Sequence, residues 1–280
     1  MWPDAAVEVT PADLATEPVD VVVLQRPEDE ELAPQWLGGR LPGRDVPAVW
    51  VEHNAPQGRI ADMRHPAADR DDLVLVHVTP TNALFWDSGT TPTHVIEHGI
   101  PDPGHRWTGE LERAAVVINE ARRRGRVTGT DLLPDLSRAM PVDLFGIGSE
   151  EAAADLRARG ADVTAGGDLP HDALVDEVAR RRVYLHPVRW TSLGLSLLEA
   201  MHVGLPVVAL ATTEVPAAVP DEAGVVSNRL PVLADALRRF GRDHEEAART
   251  GKAARAAALE RYGLDRFLAD WDALLAEVAA

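Results

Sequence analysis

The sequence predicts an α/β protein made of two parallel-sheet domains, and three observations carry that prediction. Short β-branched runs alternate with helical segments, as successive βαβ units require. The runs are apolar throughout, the pattern of strands covered on both faces. One stretch rich in Pro, Gly and charge, "GIPDPGHRWTGELER" (99–113), interrupts the alternation and marks a linker.

In the first domain, strands are expected at "AVEV" (6–9), "VDVVVL" (19–24), "AVWVEH" (48–53), "LVLVHV" (73–78) and "THVIEH" (93–98). Helices are expected between them, among them "DEELAPQWLG" (29–38) and "NALFWD" (82–87). After the linker the strands resume at "AAVVINE" (114–120), "PVDLFGIG" (141–148), "DVTAGG" (162–167), "RVYLHP" (182–187), "PVVALA" (206–211) and "GVVSN" (224–228). Three further helical segments reach the C-terminus. The domains are expected at 1–104 and 105–280. The last helix, "LDRFLADWDALLAEV" (264–278), is expected to be amphipathic.

Composition narrows the chemistry. The 280 residues are 45% hydrophobic, enough for a sizeable core. There is no cysteine, which excludes disulfides, thiolate metal sites and thiol nucleophiles. No apolar run approaches the ~20 residues of a membrane span, and the N-terminus is unlike a signal peptide, so a soluble, cytoplasmic protein is expected. A net charge of -17 argues against nucleic acid as a partner. "DEEL" and "ADRDD" (68–72) read as solvated faces, and ten histidines without a tight pair give no metal site. Lys252 is the only lysine, so side-chain contacts to phosphate fall to arginine, concentrated in "ARRRGR" (121–126).

The chemistry concentrates in "YLHPVRWTSLGLSLLEAMHVGLPVVAL" (184–210). A strand ends at His186 and Pro187, a polar loop follows, and Gly194 opens a helix that stops at Gly204. A helix N-terminus presents unpaired N–H groups and partial positive charge, and a glycine there lets a phosphate approach the backbone. Glu199 lies roughly 7 Å further along the axis, at 1.5 Å per residue, within reach of a ribose next to a bound diphosphate. Two readings stay open on the residues alone: a nucleotide site, or a core helix with a carboxylate near its positive end.

This segment resembles the C-terminal signature of glycosyltransferase family 4, retaining nucleotide-sugar-dependent enzymes of the GT-B fold. Family members typically read "EGFGLxxLEAMAxGxPVVA", and "GLSLLEAM" and "GLPVVA" match closely. The resemblance implies two Rossmann-like domains in a GT-B-like arrangement, with the last helix a candidate to pack back across the first domain. It implies that Leu193, Gly194, Leu195 and Ser196 hold the donor diphosphate and that Glu199 holds the ribose. The family's first glutamate is replaced by Thr191, which would meet the donor sugar or, alternatively, cap the helix. "AAVVINEARRRGRVTGTDLL" (114–133) occupies the place of the loop that brings an Arg and a Lys to the diphosphate. Thr128 replaces that lysine, and Arg122 and Arg126 are the expected substitutes. Leu169 and Pro170 fall where the family's loop backbone meets the nucleobase. His53, ending "VWVEH", matches the family's histidine that faces the donor sugar, and His98 stands where the family carries Asn.

A family member opens with a strand and a glycine-rich loop, for which "MWPDAAVEVTPADL" offers no match, so the first domain is expected to be incomplete at its start. The resemblance implies transfer of a sugar from a UDP- or GDP-linked donor to an unknown acceptor, with retention, without a metal and without a further cofactor. His53 and Thr191 are the residues it places at the chemistry. The alternatives are a non-catalytic nucleotide-sugar-binding module that partners a complete glycosyltransferase and, more weakly, a sugar-nucleotide epimerase.

Overall fold

A computed structural model describes residues 7–280. Contacts divide the chain into two compact units, Met1–Glu97 with Phe267–Ala280, and His98–Arg266.

The first unit runs α1 (Pro11–Leu14), β1 (Val22–Leu24), α2 (Pro27–Trp36), β2 (Ala48–Glu52), β3 (Val74–His77), α3 (Pro80–Phe85) and β4 (Thr93–Val95). Its four strands are parallel and pair in chain order, β1-β2-β3-β4. Side chains alternate across a strand, so Ala48 and Trp50 point to one face and Val49 and Val51 to the other. The first pair packs with Leu24, Ala33, Leu37 and Leu75. The second packs with Val76, Ile96 and the last helix, through Phe267, Trp271, Leu274, Leu275 and Val278, whose spacing puts them on one stripe.

The sequence expectation at 6–9 is corrected: residue 6 lies outside the described residues, and 7–9 are irregular. α2 begins two residues before its expected start, because Pro27 suits the first helical turn and the Asp29 carboxylate accepts N–H bonds from Gln25 and Arg26 at 2.8 and 3.0 Å.

The second unit runs β5 (Leu111–Val117), α4 (Ala121–Arg124), α5 (Leu133–Leu136), β6 (Val142–Phe145), α6 (Ser149–Ala158), β7 (Val163–Gly167), α7 (His171–Ala179), β8 (Arg181–His186), α8 (Leu195–Val203), β9 (Val207–Ala209), α9 (Val215–Ala218), β10 (Gly224–Val226), α10 (Leu230–Arg242) and α11 (His244–Tyr262). The last helix, α12 (Leu264–Val278), follows. The six strands are parallel in the order β10-β9-β8-β5-β6-β7. The winding direction therefore reverses between β5 and β8. Asp143 of β6, buried, ties this centre together: it accepts from Arg113 Nε of β5 at 2.6 Å and Arg181 Nε of β8 at 2.9 Å. A buried charge held by two partners specifies a pairing more than it adds stability.

The predicted linker is not free chain. Ile100 N–H bonds Tyr262 O at 2.9 Å, Trp107 N–H bonds Val203 O at 3.0 Å, and the buried Trp107 indole donates to Arg181 O at 3.0 Å. Arg255 clasps Asp102 through two 2.7 Å bonds. These ties place the division at Glu97/His98, ahead of the 104/105 expectation, and β5 starts at Leu111, three residues early.

Gly251 in α11 lies against the C-terminal end of α8. A Cβ there would sit 2.0 Å from Gly204 O, a backbone atom that no rotamer change can move. Alanine adds about 1 kcal/mol of helix propensity, whereas overpacking costs about 1–3 kcal/mol. Gly251→Ala is therefore expected to destabilise the chain by up to about 2 kcal/mol in urea unfolding; a stabilised variant would contradict this packing.

Candidate functional site

In an open parallel sheet, ligands bind beyond the C-terminal ends of the strands where the strand order reverses, because the connections leave on opposite faces and part there. In the second unit that point lies beyond Val117 of β5 and His186 of β8. It holds a cavity of about 470 Å³. Its walls come from the end of β5 (Val117, Ile118, Asn119), Arg124, Thr128, Gly146 after β6, and Asp168, Leu169, His171 and Leu174 around the start of α7. The other wall is His186, Val188, Thr191, Leu193, Gly194, Leu195, Ser196 and Glu199.

α8 supplies most of that second wall. Its N-cap, Gly194, is extended and no side chain caps the helix; the Leu197 N–H bonds Gly194 O at 3.0 Å, and the N–H groups of Leu195 and Ser196 are left to the cavity. Thr191 lines the cavity and does not cap. A Cβ at position 194 would lie 2.8 Å from His186 Cε1, so only glycine lets the imidazole pack beneath the helix start. Below that ring the buried Tyr184 hydroxyl donates to Ser196 Oγ at 2.8 Å and fixes the first turn. Burial raises the Tyr184 pKa, which keeps the phenol a donor.

Glu199 stands one turn deeper, its side chain 25% exposed, and its Oε1 lies 3.0 Å from His171 Nε2 at the start of α7. The contact orients one carboxylate oxygen, and among the described residues Oε2 has no hydrogen bond of its own.

The arginine loop departs from the sequence expectation. Arg122 pairs with Asp155 at 2.9 Å and Arg126 with Asp131 at 3.5 Å, and both line a separate cavity of about 180 Å³ beside α6. Arg124, two residues from each, is the arginine that lines the main cavity, and among the described residues it has no ion-pair partner. The one-turn α4 explains the difference between Arg122 and Arg124, since on a helix neighbours two apart point to different sides; Arg126 lies past the helix end at Gly125. Thr128 is buried in the cavity wall, its hydroxyl 3.0 Å from that of Thr130. Gly129, with φ +72°, remains essential, since a Cβ there would fall 1.8 Å from Pro187 O.

Of the remaining sequence-predicted residues, Leu169 lines the cavity, whereas Pro170 is the N-cap of α7 and is not among the lining residues. His53 belongs to the first unit, just past β2, where its Nε2 lies 2.9 Å from Gln25 Oε1 and burial lowers its pKa. Sequence reasoning favoured Arg122 and Arg126 over Arg124, and missed His171 and His186. The signal for His186 was the uncapped Gly194 eight residues on, which acquires meaning only when the strand end and helix start are brought together.

His186 is buried, and desolvation lowers its pKa to about 4; His77 in the first unit is shifted to about 4 for the same leading reason. Both rings are neutral at pH 7. In the unfolded chain each takes a proton near pH 6.5, so stability is lost as pH falls from about 6.5 to about 4, by up to roughly 3 kcal/mol per ring. Histidine Cε1–H resonances followed from pH 8 to 5 are expected to leave these two rings unmoved; titration near 6.5 would refute the burial argument.

Residues 129–243 match the family Glycosyl transferases group 1. No curated protein matches the sequence. Among solved structures, sucrose-phosphate synthase from Thermosynechococcus elongatus is similar with a TM-score of 0.71 at 17% identity, over 92% of this chain and 73% of that one. HepE of Anabaena, in complex with UDP and glucose, gives 0.68 at 14% identity, over 92% and 77%. TarM of S. aureus gives 0.68 at 15% identity, over 91% of this chain, which spans only 54% of TarM. These likenesses establish the fold, the two-sheet α/β architecture of GT-B glycosyltransferases. Among the described residues no helix is long and apolar enough to cross a membrane.

Proposed function

We propose, from the match of residues 129–243 to the family Glycosyl transferases group 1, that this chain transfers a sugar from a nucleoside diphosphate sugar to an acceptor. The observation that carries the reading is the shared cavity of the uncapped α8 start, Arg124 and Glu199 at the strand reversal. A diphosphate suits the N–H groups of Leu195 and Ser196, which the helix fixes before the ligand arrives, and the Arg124 guanidinium across the cavity. Glu199, braced by His171, accepts from the two hydroxyls of the adjoining ribose. The nucleobase falls toward Leu169.

The same arrangement gives the transfer its chemistry. As the sugar leaves, charge grows on the diphosphate, and preorganised N–H donors and an arginine stabilise it. In this proposal they supply the neutralisation that a divalent cation would give, and the sugar is transferred with retention. HepE and TarM were each solved with UDP, which favours a uridine-linked donor over a guanosine-linked one. By the family resemblance, His53 enters as a residue needed for transfer and not for nucleotide binding.

One observation favours a second reading, a nucleotide-binding module without turnover: Thr128 and Thr191 stand in the cavity wall where the family pattern has charged side chains. Two variants separate the readings. Glu199→Ala is expected to weaken UDP binding by about 2–4 kcal/mol in calorimetry, two hydrogen bonds to a charged group being lost. His53→Ala is expected to leave UDP binding intact and to remove sugar transfer in the presence of chelator. Binding by the wild-type chain without any transfer or donor hydrolysis would support the binding module, and full activity of Glu199→Ala would refute the site.

A further inference from the structure

Three histidines of the described residues keep a buried ring nitrogen without a hydrogen bond: His77, His186 and His202. They are not equivalent. His77 lies 3.3 Å from Ser88 Oγ through its other nitrogen, and His202 Nδ1 lies 2.8 Å from Leu198 O. Neither lines a cavity described above. His186 has no hydrogen bond through either nitrogen, is 2% exposed, and lines the main cavity under the start of α8.

A buried polar group left unpaired costs about 1–3 kcal/mol, so such a group in a folded chain calls for a partner that arrives later. Apolar residues would fill the position without that cost, as Leu185 and Val183 do beside it in the same strand. Gly194 points the same way. Its lack of a side chain is what admits the ring, and the consequence is an imidazole set at the mouth of the first turn of α8, beside the N–H groups offered to an anion. Tyr184 stacks on the ring, 6.1 Å between centroids, and holds it in place.

We propose that His186 is a ligand-binding residue, donating one ring N–H to a phosphate oxygen of the nucleoside diphosphate seated at the start of α8. The inference rests on the donor-site reading above. A neutral ring carries one N–H and one lone pair, so it serves this role by adopting the tautomer whose proton faces the phosphate. It would discriminate diphosphate from nucleoside, whereas Glu199 acts on the ribose they share.

The test compares UDP with uridine, and GDP with guanosine, by calorimetry on the full chain. His186→Leu keeps the volume without the N–H, and His186→Gln restores an N–H donor. His186→Leu is expected to bind the diphosphates about tenfold or more weakly, to bind the nucleosides within about twofold of wild type, and to be largely rescued in His186→Gln. Diphosphate affinity unchanged in a folded His186→Leu overturns the inference alone, as does an equal loss for nucleoside and diphosphate. Should His186→Leu fail to fold, the ¹⁵N imidazole signals of the wild-type chain decide: movement of the His186 nitrogens on adding UDP supports the contact, and silence while other cavity residues respond overturns it. A wild-type chain that binds neither diphosphate overturns this inference together with the donor-site reading.

Discussion

Two neighbouring parallel strands, β5 and β8, send their chains off toward opposite sides of the sheet, and neither connection can cover the gap left between their C-terminal ends. Everything in the candidate site follows from that parting. The loop after β5 carries α4 and Arg124 to one side; the loop after β8 carries Thr191 and the start of α8 to the other. Asp143, held by Arg113 and Arg181, ties β6, β5 and β8 together across the reversal. The first unit has no such feature among its described residues, where the strands pair in simple chain order. This difference alone puts the cavity in the second unit before any side chain is considered.

The wall built by α8 shows how packing and electrostatics are joined there. The absence of a Cβ at Gly194 admits His186, the stacked Tyr184 reaches past it to Ser196, and the first turn is fixed without using the N–H groups of Leu195 and Ser196. A serine or aspartate cap would stabilise the helix by about 1 kcal/mol but would occupy the same donors. An uncapped start is therefore a local loss of stability that leaves an anion-binding surface, a trade common where function and folding compete for the same atoms.

The sheet order of the second unit was not legible in the sequence, but its strands were, because apolar β-branched runs between helices can hardly be read otherwise. Expectation and structure part company where short-range geometry decides. Residues 6–9 alternate suggestively but make no strand over 7–9. The Pro- and Gly-rich segment 99–113 reads as a tether, yet buries Trp107 and hydrogen-bonds to α8 and β8. "ARRRGR" shows four arginines, but only the turn of α4 determines which of them meets the cavity. Glu199 could be singled out beforehand because a carboxylate at a fixed distance from a helix-opening glycine has a chemical meaning; His186 could not, because its significance lies in a contact between residues eight apart on different elements.

The two departures from the family signature acquire sense when they are placed together. Thr191 stands where the pattern has a glutamate and Thr128 where it has a lysine, and both line the same cavity. One replacement removes a negative charge and the other a positive one, so the formal charge of the cavity wall at these two positions equals that of the family pattern. What changes is its source. With the lysine gone, cationic charge rests on Arg124, and with the glutamate gone, no carboxylate opposes it at Thr191. The remaining stabilisation comes from dipoles fixed by the fold, the N–H groups of α8 above all, and these weaken little with salt when partly buried, unlike an exposed ammonium. A site of this kind depends on the positions of its backbone more than on its charged side chains, which is why the glycines at 129 and 146, each at positive φ and pressed against a backbone oxygen, are its most constrained residues.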